Sequence, residues 1–227
     1  DWTLDAGIWR GRSFPGGAKD SVNPSVHLGA TGHQDAGEWA VDAFAAQLKP
    51  EQRGTRTYSA TGAHTHAAPV CDVNLNGVVC FDGRSRLTGV SAQWEGRNLP
   101  VTLTGAVLWR TESGSLGSRN GLGQYSGRNR GEWLQAVWQF SPVWEAGARL
   151  ERLKTDQSLV GGGASWVASE AGFGHYSPLQ RQTLMAGYKL SPWADLRLEA
   201  GRDEVNSVSV RFVALRLVVQ WDKGFSK

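Results

Sequence analysis

The residues best suited to chemistry in this 227-residue chain crowd into one stretch, AHTHAAPVCDVNLNGVVCFDG, which starts at Ala63. Cys71 and Cys80 are the only 2 cysteines. Nine positions apart, they most simply form a disulfide that closes a short loop and stabilises it by about 2 to 3 kcal/mol. Between them, Asp72, Asn74, Asn76 and Gly77 have the D-x-N-x-N-G spacing of a calcium loop, in which alternate side-chain oxygens converge on a hard cation and glycine makes the turn. The position for a bidentate acid is occupied by Gly83, with Asp82 one residue early, so the ligand set is incomplete and an Asn-Gly turn explains the same residues. His64 and His66 could join the cysteines at a zinc or copper site, since imidazole and thiolate suit those metals. A disulfide competes for the same sulfurs.

Three further groupings have weaker chemistry. His175 and Ser177, in GHYSP, have the types of a base and a nucleophile, but they sit in a loop with no orienting acid nearby. His27 shares a strand face with Asp5 and Asp42 and could act as a general base with carboxylate partners. The run GGGASW from Gly161 lacks the strand-to-helix setting of a phosphate loop and reads as a flexible connection.

The elements that must position these residues are strands. Ten period-two runs occur along the chain, and side chains of a strand alternate between two faces. Trp2, Leu4, Ala6 and Ile8 share one face; so do Val26, Leu28 and Ala30, and then Trp39, Val41, Ala43 and Ala45. Val90, Ala92 and Trp94 follow, then Val101, Leu103, Val107 and Trp109. Two segments look alike: QFSPVWEAGARLER from Gln139 and KLSPWADLRLEAGR from Lys189 each read as strand, Ser-Pro turn, strand. The last run is the most regular, with Val213, Leu215, Leu217, Val219 and Trp221 on one face.

Composition narrows the class. With 40% hydrophobic and 20% charged residues the chain is neither disordered nor collagen-like. No apolar run is long enough for a transmembrane helix. A net charge of +3 is too small to point to nucleic acid. The chain opens at Asp1 with neither a start Met nor a leader, and reads as a mature form or a cut fragment. Eleven Trp and 29 Gly against a single Met are unusual for a soluble enzyme core.

Connection lengths and tryptophans then point the same way. Long connections are expected near 11–23, 49–83, 112–130 and 156–179, alternating with tight turns at HQDA, GRNLP, SPVW and SPWA. Bacterial outer-membrane barrels keep short turns at one end and long loops at the other. Amphipathic indoles collect at membrane interfaces. Trp2, Trp39, Trp94, Trp144, Trp193 and Trp221 fall at strand ends on the short-turn side, and Trp109 and Trp133 at the opposite rim. The expected fold is therefore all-β, a transmembrane antiparallel up-and-down barrel of about ten strands forming one domain over 1–227.

On this pattern the chain resembles the Gram-negative outer-membrane β-barrel proteins, more specifically the C-terminal strands of porin-like proteins. Leu215, Leu217, Val219, Trp221 and Phe225 are similar to the alternating final strand that serves that superfamily as an assembly signal, although here Ser226 and Lys227 follow the aromatic. The resemblance implies export through the periplasm, insertion by the barrel-assembly machinery and residence in the outer membrane.

The polar faces of the same strands carry Arg110, Arg149, Glu151, Arg181, Lys189, Asp195, Arg197, Glu199 and Arg216, the expected pore-lining residues. Lys189 and Asp195 should approach each other across a tight turn, and Arg197 and Glu199 should meet Arg216 on the next strand. Ten strands give an interior that side chains largely fill, whereas about 16 to 18 leave an open channel, and the chain reads equally as a complete barrel or the tail of a larger one. The leading expectation is a porin-like channel for passive diffusion of small polar solutes, with no cofactor beyond the calcium candidate, no nucleic-acid partner, and homo-oligomer formation left open. Two alternatives stand beside it: a closed barrel whose loops, including the Arg119, Arg128 and Arg130 segment, bind a surface partner, and a barrel hydrolase.

Overall fold

A computed structural model of the chain describes residues 1–9, 22–54, 71–75, 77–173, 179–205 and 208–219. His64, His66, Asn76, His175, Ser177, Trp221 and Phe225 lie outside the described residues. The described chain is an antiparallel up-and-down sheet of 11 strands. These are β1 (Trp2–Trp9), β2 (Asn23–Gln34), β3 (Gly37–Leu48), β4 (Arg53–Gly54), β5 (Cys80–Gly96), β6 (Val101–Ser118), β7 (Gly121–Trp138), β8 (Trp144–Val160), β9 (Leu179–Ser191), β10 (Ala194–Val205) and β11 (Val208–Val219). Ten follow one another edge to edge in chain order, and the two-residue β4 pairs beside β5. The described residues of the alternating runs fall within these ten strands. No ladder joins β1 to β11 among the described residues.

Alternation gives the sheet two unlike faces. On one, apolar side chains stand in the open: Leu134 is 59%, Leu184 68% and Val213 75% exposed. Residues this exposed are no core. Along β6 this face is apolar from Val101 to Trp109, eight rises of about 3.4 Å, or roughly 20 Å once a strand tilts by about 40°. Beyond that belt the same face turns polar, with Thr111, Ser113 and Ser115 on β6 and Arg130 and Arg128 on β7.

The largest correction concerns connections. The long loop expected over 112–130 does not exist. β6 and β7 continue, paired without a break, to a turn at Arg119 and Asn120. Hydrophobic contrast fades in this Gly- and Ser-rich stretch, where Leu116 and Tyr125 are isolated apolar residues on one face, but backbone pairing needs no continuous contrast. The loop expected over 156–179 is also reduced at its start, since β8 runs to Val160 and a helix, α1 (Ala164–Ala171), follows. The chain leaves α1 through Gly172 at φ 74°, a left-handed conformation open to glycine without a Cβ clash. In the stretch expected as loop over 49–83, β4 forms and β5 begins at Cys80.

The main hydrophobic cluster sits where α1 lies on the polar face at the far end of β6 to β8. Val79, Phe81, Leu116, Tyr125, Val167 and Ala171 are buried there, with Leu159 and Phe173 packed against them. The Tyr125 ring centroid is 5.6 Å from both Phe81 and Phe173. At the opposite end the twin Ser-Pro turns behave alike. Ser141 Oγ accepts from the backbone N–H of Trp144 at 2.9 Å, and Ser191 Oγ from that of Trp193 at 3.3 Å.

Candidate functional site

The polar face of β7 to β11 surrounds a cavity of about 610 Å³ lined by Arg149, Glu151, Arg181, Arg197, Glu199 and Arg216 among others. Six of the nine candidates from the sequence are thus brought together. Each arginine has a carboxylate within reach: Arg149 to Glu151 at 2.7 Å, Arg181 to Asp203 at 2.6 Å, Arg197 to Glu145 at 3.2 Å and Arg216 to Glu199 at 3.0 Å. Arg149 also stacks over the Trp133 ring at 4.6 Å, a contact on the polar face, opposite to that of the neighbouring Leu134. The Nε atoms of Arg149 and Arg197 are buried without a hydrogen-bond acceptor among the protein groups.

Two relationships read from the sequence hold their register. Lys189 and Asp195 are directly opposite across the β9 to β10 hairpin, and Arg197 is opposite Arg216. Arg197, however, ion-pairs with Glu145, two strands away. Glu145, Gly187 and Arg197 lie in one row across β8, β9 and β10. A Cβ on Gly187 would fall 2.5 Å from Glu145 Oε1. Glycine therefore leaves the space through which the two charged chains meet. Asp203 was missed in the sequence, although it continues the parity of Asp195, Arg197 and Glu199.

Arg110 lies elsewhere, in a knot beyond the apolar belt. Glu112, with a side chain only 5% exposed, accepts from Arg110 Nη2 and, at 2.7 Å, from Arg53 Nη2. Arg53 also lies over the Phe81 ring at 4.8 Å. Burial lowers the Arg53 pKa, opposed by the Glu112 charge. Burial, then the neighbouring Glu112 charge, raise that of Tyr125. No sequence signal marks Arg53, which follows a connection rather than a recognisable strand.

The remaining candidates make local contacts. Cys71 and Cys80 are joined in a disulfide. Asp72 Oδ1 accepts from the backbone and side-chain N–H groups of Asn74 at 2.9 and 3.1 Å, and Asp82 Oδ1 accepts from the backbone N–H of Gln52. The calcium candidates Asp72 and Asn74 thus bond to each other and Asp82 to Gln52, and no group of three or more His, Cys, Asp or Glu able to hold a metal occurs among the described residues. His27 does meet both acids expected beside it, Asp5 at 3.4 Å from Nδ1 and Asp42 at 3.0 Å from Nε2. With both ring nitrogens facing carboxylates, neither is directed at a nucleophile, and the group ties β1, β2 and β3 together.

No protein-family model, no curated protein and no solved structure matches this chain.

Proposed function

We propose that this chain forms an outer-membrane β-barrel wall whose polar face lines a water-filled passage for small polar solutes. The observation that carries this reading is the contrast between the sheet's faces. Leucine, valine and tryptophan stand exposed on one side, over a patch far larger than a monomer in water leaves bare. Paired charges fill the other side around a cavity. A hydrocarbon solvent outside and water inside reward that distribution. Its belt of roughly 20 Å is close to the ~25 Å apolar band of such barrels.

The reading carries a requirement. In lipid, unpaired backbone groups are costly, so the outer edges of β1 and β11 must be paired when the sheet spans. The passage is expected to discriminate by size and by the local field of the arginine and carboxylate pairs rather than by net charge. Reconstituting the chain into liposomes loaded with an impermeant polymer tests this. Small neutral sugars should swell them at rates falling with solute size. Swelling equal to that of protein-free liposomes would overturn the passage.

A second reading has its own observation. α1, the hydrophobic cluster beneath it and the Cys71–Cys80 bridge give the far end of β5 to β8 a fixed shape on the polar side. A rigid far end suits recognition of a surface partner. Liposomes that take up the protein without swelling would favour it.

A further inference from the structure

The apolar face is not uniform. A groove of about 1070 Å³ crosses it from β3 to β9, with Leu103, Trp109, Leu134 and Leu150 among its walls. Those four are 41%, 39%, 59% and 56% exposed, so the groove opens outward. Its upper wall changes character within two residues. On β8, Leu150 is followed on the same face by Arg152 and then Lys154; on β7, Leu134 gives way to Glu132 and Arg130. Gln182, opposite Leu150 on β9, closes the side.

The charges there are unevenly satisfied. Arg130 binds Glu132 at 2.6 Å and lies over Trp109. Arg152 and Lys154 are exposed and have no carboxylate within ion-pair distance among the described residues, although Glu132, held by Arg130, is directly opposite Arg152 in the ladder of β7 and β8. An apolar trough edged by Arg152 and Gln182, with Lys154 one step beyond Arg152 on the same face, matches an amphiphile with a hydrocarbon tail and an anionic head. An apolar protein surface would leave the cations unpaired, and a soluble anion would leave the trough empty.

We infer that this groove is a binding site for one membrane lipid with a phosphate-bearing headgroup, its acyl chain along Leu103, Leu134 and Leu150 and its phosphate at Arg152 and Lys154. The site rests on the barrel reading, because only a chain embedded in a bilayer presents the groove to lipid. It goes beyond that reading by assigning the outer surface a specific occupant. Juxtamembrane cations attract anionic headgroups by about 1 kcal/mol each, and the two here define a point rather than a diffuse collar.

The test is native mass spectrometry of the full chain, refolded in neutral detergent, with phosphatidylglycerol or phosphatidylcholine of identical acyl chains. A heat-modifiable gel shift of the same samples reports the folded barrel separately. The expected result is a one-to-one phosphatidylglycerol adduct retained over phosphatidylcholine, and roughly a thirtyfold loss of that preference in Arg152→Gln/Lys154→Gln. Arg84→Gln/Arg86→Gln, on the same face but away from the groove, should keep it. Equal retention of the two lipids in a folded barrel would overturn the site and leave the barrel reading intact. So would an equal loss in both double variants, which would mean diffuse attraction, or a protein dimer free of lipid, which would place a second copy on the groove. Absence of a folded band would overturn the barrel reading, and the lipid site with it.

Discussion

Arg181 on β9 holds Asp203 on β10 in a forked pair, with Nε and Nη2 donating to the two carboxylate oxygens at 2.6 and 2.7 Å. The pair is the planar, bidentate kind that fixes geometry as well as charge. Together with the other three arginine and carboxylate pairs it leaves the cavity wall nearly neutral, so a solute there meets alternating local fields. Asp203→Asn removes the anion while keeping the shape. It should lower stability by only about 1 kcal/mol, because Arg181 is half exposed, and the thermal unfolding midpoint in detergent measures it.

If the proposed passage exists, charge reversal on the same wall should act on transport. Arg149→Glu, Arg197→Glu and Arg216→Glu each change the local charge by two units beside an existing carboxylate. Each should shift the reversal potential in a salt gradient toward cation preference. A reversal potential identical to that of the parent protein in all three would remove these residues from the permeation path.

The knot at Glu112 should matter more for folding. Glu112→Ala leaves the Arg53 charge, whose side chain is 15% exposed, without its partner. Breaking a buried pair by deleting one member costs about 3 kcal/mol or more. Glu112→Gln keeps an acceptor and should lose less. Denaturant midpoints of the two variants, compared with the parent, decide this; equal small losses would mean that water reaches Arg53.

Tyr125 supplies a pH dependence. Its pKa is raised by burial first and by the Glu112 charge second. The folded state thus holds the proton more tightly than the unfolded chain. The stabilisation is complete below the ordinary tyrosine pKa near 10 and is lost as pH rises through the higher folded value. Ultraviolet titration of phenolate should show a late ionisation step, and Tyr125→Phe should abolish it. Its persistence in the variant would assign the late step to another ring.

Reduction of the Cys71–Cys80 bridge should destabilise by about 2 to 3 kcal/mol, the loop-closure entropy of a short ring. The expected readout is faster protease cleavage near Asn74, with the gel mobility of the folded sheet unchanged. Loss of the folded band on reduction would mean that the bridge supports the whole sheet.

How much of this could be read in advance follows from what leaves a mark in sequence. Strands with one apolar and one polar face leave a strong one: the run from Trp2 to Ile8 lies on β1, and the described part of the last run, Val213 to Val219, on β11. The cysteine pair and the opposition of Lys189 to Asp195 needed only short separations. Past Trp109 the apolar residues of β6 thin out to Leu116 alone and alternation carries little contrast, so the pairing of Thr111 with Arg128 was hidden and the stretch looked like loop. α1 is eight residues long and buries only Val167 and Ala171, too few for a helical period to emerge. The link from Arg197 to Glu145 depends on inter-strand register and on the missing side chain of Gly187, neither of which a single sequence states.

The direct measurement is single-channel recording of the refolded chain in a planar bilayer, with the heat-modifiable gel shift run on the same sample. A folded band accompanied by discrete, stable conductance steps is the expected result. A folded band in a bilayer that stays electrically silent would contradict the passage.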